Sequence, residues 1–234
     1  MRVVTAGGHG QIALRLGRLL ADRGDEPVGL TRNPAHADDL RERGIEPVLL
    51  DLEKATADDV ALALEGADAT VFAAGAGPGS GIARKDTVDR AAAELLADTA
   101  VAAGPRRHVL ISSMGVESVR DGATPDGVDE VFVAYLRAKL AAEDHILGLP
   151  LDATVLRPGR LTNDPGTGRV ALAPRVHRSE VSGGSISRDD VALVVLGLLD
   201  TPTTAGSVLE LVAGDVPVGE AIQAVAQRDT SSPA

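Results

Sequence analysis

The sequence predicts an α/β fold, a doubly wound parallel sheet carrying a small irregular insertion. Three observations predict it. Short apolar stretches alternate with helical ones from the first residues onward, the pattern of parallel strands buried on both faces. A glycine-rich turn, Gly7-Gly8-His9-Gly10, joins the first apolar stretch directly to the first helical one. The 234 residues suffice for one such domain with a sizeable core and are too few for two.

In chain order, residues 3–6 are the first strand and 11–23 a helix with leucines along one face. Residues 27–31 are the second strand. A helix over 35–43 is closed by Gly44, and a third strand follows at 47–50. Thr56 starts a helix over 56–64, whose first turn carries Asp58 and Asp59. Residues 69–74 are the fourth strand and 85–103 a long helix. Then 107–112, 128–147 and 152–156 read as strand, helix and strand. From 158 to 187 the pattern gives way to Gly, Pro, Arg and Ser, with a hairpin around 165–170. A helix at 187–199, a strand at 207–212 and a helix at 218–227 follow. Residues 1–229 are thus expected as one domain, 158–187 as a small substrate-side lobe, and 230–234 as a disordered tail.

Composition excludes several classes. A net charge of −11 argues against nucleic acid, because neutralising phosphates takes surplus Lys and Arg. One tyrosine, two phenylalanines and no tryptophan cannot supply a stacking platform for single strands. There is no cysteine, hence no disulfide, thiol catalysis or thiolate metal site, and the scattered histidines have no metal spacing. The longest aliphatic run, 191–199, is too short to span a bilayer. A strand from Arg2 leaves no room for a secretory leader. The expectation is a cytoplasmic monomer or homodimer that meets a small-molecule substrate, not a membrane or nucleic acid.

The glycine turn is the first chemical signal. Glycines at a strand-to-helix junction let a pyrophosphate approach the backbone, and the helix start offers free N–H groups and a positive dipole end. Gly7, Gly8, His9, Gly10, Gln11 and Ile12 are the candidate contacts, with His9 expected to face solvent rather than take part in chemistry. The end of the second strand reports the dinucleotide. An acid there would bind a ribose 2′-hydroxyl, but the chain reads Gly29-Leu30-Thr31-Arg32-Asn33. Arg32 has the planar fork to grip a 2′-phosphate, which favours NADP over NAD.

The second signal is Tyr135 with Lys139 four residues on, one helical turn away. The chain holds only three lysines: Lys54, Lys85 and Lys139. An ammonium one turn from a phenol favours the phenolate and lowers its pKa, so that the phenol exchanges protons nearer neutral pH. The rival reading is a half-buried tyrosine beside a surface lysine paired with Glu143.

These residues resemble the short-chain dehydrogenase/reductase superfamily, and within it the small atypical NAD(P)-binding group related to extended epimerases and dehydratases. The resemblance spans nearly the whole chain and implies a Rossmann-type sheet. Gly7, Gly10 and Ala13 match the group's glycine spacing, with alanine in the last place. The resemblance implies Asp51 and Leu52 near the adenine, Ala73-Ala74-Gly75 along the cofactor ribose and Pro158 beside the nicotinamide. It implies Ser113 as the substrate-orienting serine, with Ser112 the alternative, and Tyr135 and Lys139 as the active pair. Asp89 stands where an asparagine is usual. The segment Ile186-Ser187-Arg188-Asp189-Asp190-Val191-Ala192 matches a part of the family expected to be structural.

The function implied is an NADP(H)-dependent oxidoreductase acting on a small carbonyl or alcohol, with Tyr135 as general acid/base. Sugar-nucleotide epimerase or dehydratase activity is disfavoured by the short insertion. Two alternatives stay open: an NADP(H)-binding redox sensor or scaffold without turnover, and a flavin or quinone reductase that does not need Tyr135. In the latter, residues 75–81 would form a flexible rim; otherwise they are a mobile surface loop.

Overall fold

The computed structural model describes residues 1–77, 79–181 and 183–229; the expected tail at 230–234 lies outside them. The first half alternates as expected: β1 (Arg2–Ala6), α1 (Gln11–Arg23), β2 (Glu26–Thr31), α2 (Ala37–Glu42), β3 (Glu46–Leu49), α3 (Ala57–Ala63) and β4 (Ala69–Phe72). A short helical turn, α4 (Ile82–Arg84), leads through a π-helical stretch, Lys85–Ala91, into α5 (Ala92–Ala103). There follow β5 (Arg107–Ile111), α6 (Glu130–Leu147) and β6 (Asp152–Pro158). The remainder comprises β7 (Arg160–Thr162), β8 (Arg169–Pro174), β9 (Ser185–Ser187), α7 (Arg188–Leu199), β10 (Val208–Ala213), β11 (Val216–Pro217) and α8 (Val218–Asp229).

Nine strands form one sheet in the order β11-β8-β10-β6-β5-β4-β1-β2-β3. From β3 to β10 every pairing is parallel, and the order reverses between β1 and β4. That reversal opens a crevice at the carboxyl ends of the strands, where doubly wound sheets bind ligands. Neighbouring side chains of β1 serve opposite faces. Val3 packs with Leu16 and Leu20 of α1 and Val191 and Val195 of α7. Val4 packs with Val60 of α3, Leu96 of α5 and Ile146 of α6. Local signals set the helix ends: Thr56 and Asp59 form a reciprocal capping box on α3, and Gly24 closes α1 in the left-handed region at φ 87°.

Two expectations fail. The hairpin around 165–170 does not form; β8 instead joins the main sheet, antiparallel to β10. Its core reads Val-Ala-Leu-Ala, and alanines are weak strand signals, so its pairing comes from β10 and β11 rather than from a turn. The insertion also contributes a separate two-stranded parallel pair, β7 with β9. The long helix expected at 85–103 begins in π form, which turns Lys85 and Asp89 inward. Among the described residues, no helix is long and apolar enough to cross a membrane.

Candidate functional site

The turn after β1 is tight. Gly7 sits at φ 74°, and a Cβ on Gly8 would lie 2.4 Å from Gly29 Cα, so the turn rests directly on β2. Gly8 N donates to Leu30 O at 2.9 Å. No side chain caps α1, whose first turn holds no acid, so its leading N–H groups suit the phosphates of a dinucleotide.

Beside this turn lies a cavity of about 350 Å³ lined by Gly7, His9, Gly10, Arg32, Asp51, Leu52, Ala73, Ala74 and Gly75. The sequence-predicted adenosine-side residues therefore do meet. Glu53 and Arg84 join them unpredicted. Glu53 Oε2 accepts from Arg32 Nη1 at 2.9 Å and from Arg84 Nη2 at 2.7 Å, while Thr87 donates to Oε1 at 2.7 Å. These bonds, Arg84's foremost, hold the Glu53 carboxyl below its usual range against partial burial. Two fork-shaped cations thus face one cavity. His9 does not simply face solvent: it stacks on His36 with ring centroids 3.7 Å apart, and its Nε2 lies 2.9 Å from Asp39 Oδ2.

His9, Gly10 and Ala73 to Gly75 also line a second cavity of about 1380 Å³. Here Gln11, Ile12, Asp89, Ser112, Ser113, Tyr135, Lys139 and Pro158 converge from five elements and their loops. Tyr135 is half-buried, and Lys139 is only 3% exposed, its Nζ donating to Ile111 O at 3.0 Å. The reading of Lys139 as a surface partner of Glu143 is wrong. Glu143 belongs to Arg157, whose Nε donates to Oε1 at 3.0 Å. Lys139 instead faces buried Asp89, with Nζ 3.6 Å from Oδ1.

That pairing corrects the expected electrostatics. Lys139 was expected to lower the Tyr135 phenol; the phenol is pushed up to about 12. Burial is the main cause, the Ser113 hydroxyl opposes it, and the carboxylates of Asp89 and Glu143 add to it. Asp89 screens the ammonium that was to act on the phenol, while burial draws the Lys139 pKa down. Of the two serines, Ser113 is the one interacting with the phenol; its hydroxyl also donates to Met114 O at 3.0 Å. Ser112 Oγ is buried with no hydrogen-bond partner among the described residues.

Sequence reasoning missed Lys85. It is 8% exposed, its Nζ lies 5.4 Å from the Tyr135 ring centroid, and it donates to Gly77 O at 3.0 Å. A signal was present: Lys85 precedes Asp89 by four residues, the spacing that links Tyr135 to Lys139. Gly77, Gly79 and Ser80 of the glycine-rich loop line the same cavity.

A family model described as NAD(P)H-binding matches residues 7–202. The uncharacterized sugar epimerase YhfK of Bacillus subtilis is 33% identical over 223 residues, covering 95% of this chain and 99% of that protein. A solved Bacillus halodurans protein, named for NAD-dependent epimerase/dehydratase activity, superposes with a TM-score of 0.85 at 35% identity, covering 96% of this chain and 99% of that one. The oxidoreductase YlbE of Lactococcus lactis shares the fold, with a TM-score of 0.79 at 23% identity and 97% of each chain covered.

Proposed function

The chain belongs to the NAD(P)H-binding family, and on that premise we propose that it is an NADP(H)-dependent oxidoreductase of a small carbonyl or alcohol, with Tyr135 as the proton-transferring group. The observation that carries the reading is the meeting of Tyr135, Ser113 and Lys139 in the cavity that adjoins the uncapped start of α1. The glycine turn and α1 would hold the pyrophosphate, Lys139 the ribose hydroxyls, and Pro158 the nicotinamide edge. Arg32 and Arg84 offer two forks for a 2′-phosphate, which supports NADP over NAD. When bound, NADPH supplies the hydride to the carbonyl carbon.

The protein's own part is the oxygen. Ser113 would orient the carbonyl oxygen, and the Tyr135 hydroxyl would give it a proton as charge develops there. A phenol held near 12 keeps its proton at neutral pH. It is therefore present as the proton donor that reduction of a carbonyl requires. The opposite direction needs a phenolate, which the carboxylates of Asp89 and Glu143 disfavour.

The test follows NADPH oxidation across a panel of small carbonyls and quinones. Tyr135→Phe is expected to cut turnover about 100-fold or more while NADP affinity holds. Unchanged turnover in the variant would move the chemistry to a flat acceptor that needs no phenol. Tight NADP binding with no turnover of any acceptor would make the protein a cofactor-binding module.

A further inference from the structure

Two ammonium groups reach Tyr135, and among the described residues only one of them has a counter-ion. Lys139 faces Asp89. Lys85 is more than nine-tenths buried, yet among the described residues it forms no ion pair; its one hydrogen bond goes to the Gly77 carbonyl. Buried charges are stable when paired, so an uncompensated ammonium facing a cavity is an open position for an anion. The surroundings agree. The large cavity is lined by four cationic side chains, Lys85, Lys139, Arg160 and Arg188, against two carboxylates, Asp89 and Asp129, in a chain of net charge −11. Both carboxylates are engaged, Asp89 with Lys139 and the Ala76 N–H, Asp129 with the first turn of α6. The same cavity also has an apolar part. Phe132 is exposed, with its ring centroid 5.7 Å from that of Tyr135, and Met114 and Leu161 join it.

We propose that Lys85 is the anion-recognition residue of the substrate subsite, so that the substrate is a carbonyl compound bearing a carboxylate on an apolar body. The carboxylate pairs with the Lys85 ammonium, the apolar body lies on Phe132, and the carbonyl oxygen comes within reach of Tyr135 and Ser113. This rests on the reductase reading for the identity of the reacting group, but the anion site itself does not require turnover. Hydride on the carbonyl carbon and a proton from Tyr135 on its oxygen give the hydroxy acid and oxidised cofactor, and the carboxylate is unchanged.

The probes are phenylglyoxylate and its methyl ester, which share the keto body and differ in charge and by one methyl group. Their binding is measured by calorimetry on the intact protein with NADP⁺ present, so that no reduction intervenes. The wild type is expected to bind the acid about tenfold or more tightly than the ester, the scale of a charge-assisted hydrogen bond. Lys85→Met should abolish that preference, and Lys85→Arg should restore part of it. Retained NADP⁺ binding by each variant reports that it has folded. Equal binding of acid and ester, absence of binding by the acid, or a preference that survives Lys85→Met would each overturn the assignment. If the acid is preferred and Lys85 is required, but NADPH reduces no member of the panel, the anion site stands and the reductase reading falls. If carbonyls are reduced without regard to charge, the reverse holds.

Discussion

Tyr135, Arg32 and His108 are single residues whose surroundings make separate predictions. Tyr135 lies in a field of two lysines and two carboxylates, and burial outweighs them all. Its activity profile should therefore keep the acid form through neutral pH, with no loss of carbonyl reduction between pH 7 and 9; a fall in that range would mean that the bound cofactor resets the phenol. Arg32 tests cofactor choice. Arg32→Ala is expected to weaken NADP by about tenfold or more and leave NAD nearly unaffected, as measured by fluorescence titration. His108 tests stability. It is fully buried on β5, with Nδ1 2.8 Å from Thr70 Oγ1 and Nε2 without a hydrogen-bond partner among the described residues. Burial, aided by Arg107, lowers its pKa from 6.5 to about 4. Between those values the unfolded chain binds the extra proton, so stability rises with pH and is lost as pH falls from 6.5 toward 4. The loss approaches about 3 kcal/mol at the acid end. Denaturant midpoints against pH should show this slope, and His108→Asn, which keeps a polar partner for Thr70, should flatten it.

At the scale of elements, the β1–α1 turn and the β6–α6 contact do most to hold the site in place. A methyl on Gly8 would press on Gly29 Cα and lift the turn from β2, so Gly8→Ala is expected to cost about 2 kcal/mol and to weaken NADP binding as well. Arg157, fully buried on β6, donates to Glu143 of α6, to Glu117 and to Glu210 of β10. Arg157→Met takes the cation from buried Glu143 and should cost roughly 3–5 kcal/mol in chemical denaturation. The contrast between these elements explains what the sequence could convey. The turn, α1 and the Tyr135–Lys139 spacing were legible because local geometry dictates them. The role of Arg157 was not legible, because its three acidic partners lie 14, 40 and 53 residues away. Strand β8 was missed for the same reason: its pairing belongs to β10, and Val-Ala-Leu-Ala carries little periodic signal of its own. Glu53 and Lys85 escaped notice because loops and a π-helical stretch, which obey neither period, set their directions.

At the scale of the molecule, the two cavities share residues around the glycine turn, so a ligand held in one should be felt as stability of the whole. A ligand that binds only the folded state raises stability by about 2.7 kcal/mol at a hundredfold excess over its Kd. The melting temperature is expected to rise more with NADP than with NAD at equal concentration; equal shifts would remove the argument from Arg32 and Arg84. The strand order has one more consequence, for the making of the protein. Strand β10 lies between β6 and β8, although it follows both in the chain by dozens of residues. Until it emerges during synthesis, β6 and β8 present bare edges with no partner between them. Long-range parallel pairing is slow to form, and open edges recruit other chains. The nascent protein therefore passes through a window in which its fold is nearly written and its sheet still open, and the risk of aggregation is concentrated there.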